Sequence, residues 1–501
     1  PSVLTRLLLL QLRDGTSDER VVDDLYYDLR VRHMCDFALD QRPIHPTNLV
    51  YRLRLLFGTI KRDEIEKLKG GGFSEKDSPL AGIFERIKQA TIDLGLVDTE
   101  SAQLIDSTAI FGRGAVMSTY ALIFSGIRNA LKEYQKSDDE HAAELIGRLR
   151  RSEYLEDVKK PKIDWDSDNA RQELLNDMVC DAMNVLRAGL AFEDAELQGV
   201  LMQLAMLVCQ DVEISKDLTS GKLTDGVCPD RQVSVVDPEM RHGRKCESRK
   251  FNGFKGTITA DAQSGVITGV HVMGANEHDS AAIVPIIESQ SDPPPALIGD
   301  RAYAAQEPRY EAMKLGVAVV TKSNSSSDGF GKSSFDIDCM SGKVTCPHGQ
   351  VRQIRGKSVS FSGKHCPVDC PYRDECLGSN DTRVIPIRDH EASQRDAEKF
   401  AQTEQGKELL LLRPAIERVI AHWVRNGARQ ARYFGRLKVW MQCVLSAIMC
   451  NLRKIADKVG SCGPNSFDIV SQARLFCLSR MFIAMAAAML SVASMQVGLG
   501  Q

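Results

Sequence analysis

Asp300 stands immediately after an apolar run, Ala296-Leu297-Ile298, that stops at Gly299 in the segment ALIGDRAYAAQEPRYEAMKLGVAVVTK. α/β folds collect their chemistry at the carboxyl ends of strands, so a carboxylate there is a candidate ligand. Asp106 lies on a second short run, in SAQLIDSTAIFGRG. Glu417 sits at the margin of an apolar face made by Ile416, Val419, Ile420, Trp423 and Val424, whose spacing is that of a helix. Around it crowd Arg413, Arg418, Arg425, Arg429, Arg432, Arg436 and Lys438. Taken alone, Glu417 reads as a neutralising partner in a basic stretch, and surface ion pairs contribute little. Three acids on separate elements suggest more. Converging carboxylates repel one another unless a cation joins them, and Mg²⁺ takes a few carboxylate oxygens while keeping positions for phosphate and water. Two such ions ~3.5–4 Å apart stabilise the attacking and leaving oxygens of an in-line phosphoryl displacement.

The elements that would carry these acids follow from pattern. Residues 296–322 read as strand, turn, helix and strand. The segments KGTITAD and GVITGVHVMG alternate like paired strands, with DAQSG between them as a hairpin turn. Val233 to Val236 is β-rich. A long helical stretch runs from about 115 to 215, with FEDAEL and CQDVE as solvated acidic faces. Residues 407 to 456 are strongly helical. Residues 1 to about 68 are helical as well, broken at Gly15, with Thr16 or Ser17 as cap. Two short helices about a glycine suit a helix-turn-helix DNA reader or a plain helical bundle. KGGGFSEKDSP, residues 69 to 79, is a linker by composition.

The 501 residues carry a formal charge of −3, with 43% hydrophobic and 26% charged residues. Uniform basicity is excluded, whereas a local basic groove is not. The fourteen cysteines are too scattered for a disulfide scaffold. With no signal peptide in view, they indicate a reducing cytoplasm. The chain begins at Pro1 without Met, which leaves room for upstream residues. The uncharged tail from Met481 to Gln501 is Ala-rich and interrupted by Ser and Gln. It reads as a terminal helix or frayed tail, and no membrane partner is expected.

Arg241, Arg244, Lys245, Arg249, Lys250 and Lys255 fall within RHGRKCESRKFNGFK. Such a loop suits phosphate contacts, which position a duplex without reading its sequence, or it is simply a solvated loop. Nearby Asp237, His278 and the acids of NEHDS form a candidate second polar network. Cys346, Cys366, Cys370 and Cys376, in VTCPHGQ and HCPVDCPYRDEC, are candidate ligands of a structural Zn²⁺, which four thiolates close tetrahedrally. Cys339, His348 and His365 are substitutes, and free thiols are the alternative. The remaining cysteines read as buried small apolar residues.

LIDSTAIFGRGAVMSTYALIFSGIRNAL, FNGFKGTITADAQSGVITGVHVMGANEHDS, LIGDRAYAAQEPRYEAMKLGVAVVTK and RPAIERVIAHWVRNGARQARYFGRLKVWMQCVLSAIMCNLRKIA occur in that order. Together they resemble the DDE transposases of bacterial insertion sequences, in the branch with a cysteine-bearing insertion before the catalytic glutamate. The resemblance covers nearly all of residues 1 to 456, because the N-terminal helices also resemble that branch's DNA-binding region. It implies an α/β, ribonuclease-H-like mixed sheet flanked by helices. Asp106, Asp300 and Glu417 would be the catalytic acids, holding Mg²⁺ or Mn²⁺. Its partners would be DNA, as terminal inverted repeats and target duplex, and a second copy in a homodimer at the nucleoid. Arg413, Arg418, Arg425, Arg429 and Arg432 would join the basic loop in binding DNA. The implied order is a helical DNA-binding domain at 1–68 and a linker at 69–90. The first part of the catalytic core spans 91–322, with a helical insertion at about 135–225. A Cys-rich insertion at 323–398, the core's C-terminal helices at 399–456 and an uncertain tail at 457–501 complete it.

Two departures stand out. Leu410 occupies the place of the related enzymes' Tyr and Val424 that of their Lys, with Arg425 as a substitute phosphate contact. Asp237 rivals Asp106 as first ligand, because a long insertion separates Asp106 from the strands after it. Two other functions remain open: a metal-dependent nuclease without strand transfer, and a DNA-binding remnant that no longer catalyses.

Overall fold

The computed structural model describes residues 2–41, 44–48, 79–158, 160–246, 248–322, 331–364, 366–378 and 380–460. Residues 49–68 of the expected DNA-binding region, residues 69–78 of the expected linker, His365 and the tail from 461 lie outside the described residues; residues 79–90 of that linker are instead the start of a helix, Pro79–Asp93.

In chain order the first strands are β1 (Gln103–Phe111), the small hairpin β2 (Val212–Ile214) and β3 (Gly221–Leu223), then β4 (Arg241–Cys246), β5 (Arg249–Asp261), β6 (Ile267–Gly274), β7 (Ala296–Ile298) and β8 (Ala318–Val320). The main sheet runs β6-β5-β1-β7-β8, and β4 pairs with the first residues of β5. β5 is antiparallel to β1, β4 and β6, whereas β1, β7 and β8 are parallel. This order fits the expected ribonuclease-H-like mixed sheet. The β5–β6 hairpin turns where the sequence places it: Asp261 Oδ1 accepts the backbone N–H groups of Gln263 (3.1 Å) and Ser264 (2.7 Å). Gly265 then takes φ +68°, a conformation that favours glycine.

Alternation along β1 divides two cores. Leu104 and Ile110 join Phe254, Ile258, Ile416, Trp423 and Val444 on one face. Ile105 joins Ile283, Ile286, Leu297 and Tyr303 on the other. Helices Pro79–Asp93, Ala415–Trp423 and Arg436–Gly460 contribute to the first core, and Ile283–Glu288 and Gln306–Lys314 to the second. Each fully buried Leu or Ile contributes ~1.5–3 kcal/mol, so both faces of the sheet are firmly held.

The expected helical stretch is four helices, Thr119–Ser137, Asp139–Gly147, Asp168–Gly189 and Ala195–Cys209, around a core of their own. It begins at Thr119, ahead of the expected insertion boundary at 135. Glu193, Asp194 and Glu196 are exposed as expected. Asp211 of CQDVE is not: it is buried, paired with Arg231 at 2.7 Å, and accepts from Thr119 Oγ1 at 2.7 Å. The run Val233–Val236 forms no strand; only Gln232 makes a single bridge, to Arg241. Residues 407–456 are mostly helical, as expected, in separate helices. Helix Ala415–Trp423 passes into a π-helical turn, Val424–Ala428, where Gly427 takes φ +106°. The long final helix starts only at Arg436.

At the amino end, helices Ser2–Asp14, Asp18–Tyr27 and Leu29–Met34 share a small core of Leu7, Leu10, Val21, Val22 and Leu25. Gly15 breaks the first pattern at φ +66°, and Ser17 Oγ accepts the Arg20 N–H as the next cap.

Candidate active site

β1 outlasts its neighbour. Its pairing with β7 ends at Leu104–Ile298, while on the other side it stays paired to β5 as far as Phe111. The edge of β1 beyond Leu104 is therefore open, and Asp106 lies on it. Asp300, two residues past the end of β7, caps the turn Arg301–Tyr303. Asp106 Oδ1 accepts the Ser107 N–H at 2.8 Å, and Asp300 Oδ1 accepts the Ala302 N–H at 2.9 Å. No hydrogen bond ends on Oδ2 of either acid among the described residues.

The Asp106 carboxyl is pushed up to about 6, chiefly by burial and also by the charges on Asp300 and Asp279, against the Ser107 N–H and Arg413, which lower it. Two aspartates separated by nearly two hundred residues in sequence thus share one electrostatic neighbourhood. Burial and like charge at this edge both hold back ionisation. Tyr303 lies against the same place; it is fully buried, and the charges of Asp106, Asp279 and Asp300 act on it.

Glu417 comes from the helix Ala415–Trp423, which covers the sheet face toward which Asp106 points by strand parity. The helix buries Ile416, Val419 and Trp423 and leaves Glu417 exposed. Glu417 is not among the charges that bear most on Asp106. Among the described residues, no three His, Cys, Asp or Glu side chains stand close enough together to hold one metal ion. Asp106 and Asp300 are brought together; Glu417 stands on the same side but apart.

Two of the predicted arginines enter the site. Arg413 acts on Asp106, and its Nε is buried without a hydrogen-bond partner. Arg429 closes the far end of the open edge: its Nη1 donates to Thr108 Oγ1 at 3.0 Å and to the Ala109 carbonyl at 2.8 Å. The break at Gly427 makes this possible, because it turns residues 429–431 back onto Phe111. Arg418 and Arg425 are exposed, Arg432 half-buried.

The basic run is a β-hairpin, β4–β5, and not a loop. Arg244, Lys245, Arg249 and Lys250 are exposed on it. Arg241 is not free: it is paired with Asp230 at 2.6 Å. Lys255 lies inside the sheet, 3.0 Å from Asp279 Oδ1. Asp237 belongs elsewhere. It is buried, its Oδ1 accepts the Gly435 N–H at 3.2 Å, and burial raises its carboxyl. His278 caps a turn, Nδ1 lying 2.7 Å from Ser280 Oγ. The acids of NEHDS do not join Asp237 in one network, since Asp279 belongs to the active-site edge. Asp279 and Tyr303 are the members of this site not foreseen from pattern; the only available signal was an acid shortly after a strand end, as at Asp300.

Strands β9 (Asp336–Asp338), β10 (Lys343–Thr345), β11 (Val351–Gln353), β12 (Ser358–Ser362) and β13 (Thr382–Pro386) build the cysteine-bearing segment around Phe335, Ile337, Val344, Val359 and Phe361. Cys346, Cys366, Cys370 and Cys376 line one small cavity with His348 and Tyr372. The Gln350 N–H donates to Cys346 Sγ at 3.3 Å. Burial pushes the Cys366 thiol up, with Cys370 and Cys346 adding to the rise. The other cysteines only partly match expectation: Cys35, Cys443 and Cys450 are buried, but Cys209 is exposed.

Residues 340–456 match the family model of a transposase DDE domain. The matched stretch takes in the cysteines and Glu417, and Asp106 and Asp300 precede it. No curated protein and no solved structure matches the chain. The family match supports a DDE transposase. No helix among the described residues is long and apolar enough to cross a membrane.

Proposed function

We propose that this chain, with a transposase DDE domain in its carboxyl half, is an insertion-sequence transposase that cuts DNA at the element's ends and joins them to a target duplex. The observation that carries the proposal is the convergence of Asp106 and Asp300 on the open edge of β1, each with one carboxylate oxygen free of hydrogen bonds. Asp106, Asp300 and Glu417 would hold Mg²⁺ or Mn²⁺. Such ions, if held there, would supply electrostatic stabilisation of the oxygens of phosphoryl transfer. Arg413 and Arg429 offer guanidinium groups to the phosphate beside the acids. Arg244, Lys245, Arg249 and Lys250 hold the duplex by its backbone, and residues 1–68 bind the terminal inverted repeats. A homodimer brings two ends together, in the cytoplasm at the nucleoid.

Cleavage of DNA carrying the element's own ends tests this, comparing wild type with Asp300→Ala in Mg²⁺ or Mn²⁺. Loss of cutting with end binding kept is the expected result. A wild-type chain that binds the ends and never cuts is a remnant; one that cuts with or without the ends is a general nuclease. Neutralising Arg249 and Lys250 should weaken binding to all sequences alike. Each lost phosphate contact should make the salt dependence shallower by about one in slope.

Cys346, Cys366, Cys370 and Cys376 are read as ligands of a structural zinc that stabilises a segment with a small core. Elemental analysis of the full chain should find one zinc per chain, lost in Cys370→Ser. Four titratable thiols and no zinc in the wild type would refute it.

A further inference from the structure

Gln442 is a polar residue in the buried middle of the long helix Arg436–Gly460, and both ends of its amide are in use. Its Nε2 donates to the Gly427 carbonyl at 2.6 Å and to the Gln430 carbonyl at 2.8 Å, and its Oε1 accepts the Arg432 N–H at 2.8 Å. All three partners are backbone groups of one short loop, 427–432. One turn further along the helix, Ser446 Oγ donates to the Asn426 carbonyl at 2.9 Å.

The other side of the loop is held by the end of β1. The Phe111 N–H donates to the Arg429 carbonyl at 2.9 Å, and the Ala431 N–H to the Phe111 carbonyl at 2.8 Å. Arg429 stands between the two grips. Its Nη1 is taken up by Thr108 Oγ1 and the Ala109 carbonyl, and no hydrogen bond starts from its Nε or Nη2 among the described residues. Thr108 lies two residues beyond Asp106 on the same face of β1, about 7 Å along the strand. Half of the guanidinium fork is thus on offer beside the acids, in the form that suits a phosphate. A buried amide must be paired somewhere, but that need alone does not direct three bonds into the loop that carries Arg429.

We propose that Gln442 is a positioning residue for phosphoryl transfer, fixing the 427–432 loop so that Arg429 presents its free fork to a DNA phosphate at the open edge. The proposal rests on the reading that Arg429 contacts phosphate.

A double-mutant cycle on the cutting of end-bearing DNA in Mg²⁺, measured below every melting transition, tests it. Arg429→Ala should slow cutting about tenfold or more, as a charge-assisted contact is lost. Gln442→Met, similar in length and without the amide, should slow it about tenfold too, because a shift of ~1 Å misaligns the fork. In the Arg429→Ala chain the same change should slow cutting no further, while still lowering the melting temperature. A glutamine that only stabilises the fold would slow cutting by one factor in both backgrounds. That result, or wild-type cutting in Gln442→Met, would overturn the proposal and leave Arg429 as a phosphate contact. If Arg429→Ala cuts as wild type does, or the wild-type chain cuts nothing, the reading of Arg429 falls and the proposal with it. Should Gln442→Met fail to fold, Gln442→Asn, which leaves the amide one methylene short of the loop, decides by the same comparison.

Discussion

Asp106→Asn should melt at a higher temperature than the wild-type chain in EDTA, and should cut no DNA when Mg²⁺ is supplied. The side chain keeps its shape and loses its charge. In the fold the Asp106 carboxyl is pushed from its ordinary 3.8 to about 6, chiefly by burial, with Asp300 and Asp279 adding to the rise. The folded state therefore binds this proton more tightly than the unfolded chain does. That contribution to stability is fully present below about pH 4 and is lost as pH rises through about 6. At pH 8 the ionised carboxylate costs at most about 3 kcal/mol, and solvent at the open edge lowers that figure. A gain of a few degrees is expected for the variant. The gap should close as the pH is lowered from 8 to 4. A variant no more stable than wild type at pH 8 would mean that the site does not strain the fold. Activity moves the other way, because the same charge is what a cation would bind. Stability and cleavage should thus change in opposite directions at one atom.

How much of this site was legible follows from where each signal lies. Asp106 and Asp300 are visible because short apolar runs stop beside them, and the strands β1 and β7 form at those runs. Glu417 is visible because Ile416, Val419 and Trp423 keep helical spacing. Asp279 also follows a strand, β6, but nothing in the sequence ties it to β1. Its link to Ser107 spans 172 positions, and only sheet register brings the two together. The apolar period after Trp423 conceals the break at Gly427, where backbone conformation outweighs side-chain pattern. Val233–Val236 has strand-like residues but no strand, since β1 on one side and β4 and β6 on the other already pair β5 along its length. β-propensity expresses a fit to a sheet surface rather than a backbone preference, so strand-like residues need not form a strand. The cations of the β4–β5 hairpin were legible as a cluster; which of them are spent internally was not. Arg241 and Lys255 found partners far off in sequence, which composition cannot reveal.

Trp423→Ala should lower the melting temperature by roughly 10 °C and should remove cleavage along with it. Trp423 is fully buried, and its Nε1 donates to the Cys443 carbonyl at 2.9 Å. Its ring lies against Gly256 of β5, where an added Cβ would come within 2.7 Å of it. Truncation leaves a cavity and removes the indole hydrogen bond, and comparable changes cost about 3–5 kcal/mol. The helix that carries Glu417 has nine residues, too few to be stable alone. Its position depends on Ile416, Val419 and Trp423 against the sheet, so losing the largest of the three should let Glu417 drift from the face Asp106 shares. Trp423→Phe keeps most of the ring and forfeits the hydrogen bond; it should cost less and retain part of the cutting. Thermal melting of both variants beside cleavage assays below their transitions separates the effects. If Trp423→Ala cuts at the wild-type rate while folded, the glutamate helix is placed by other contacts. An unchanged melting temperature would mean that this tryptophan is not the anchor its burial implies.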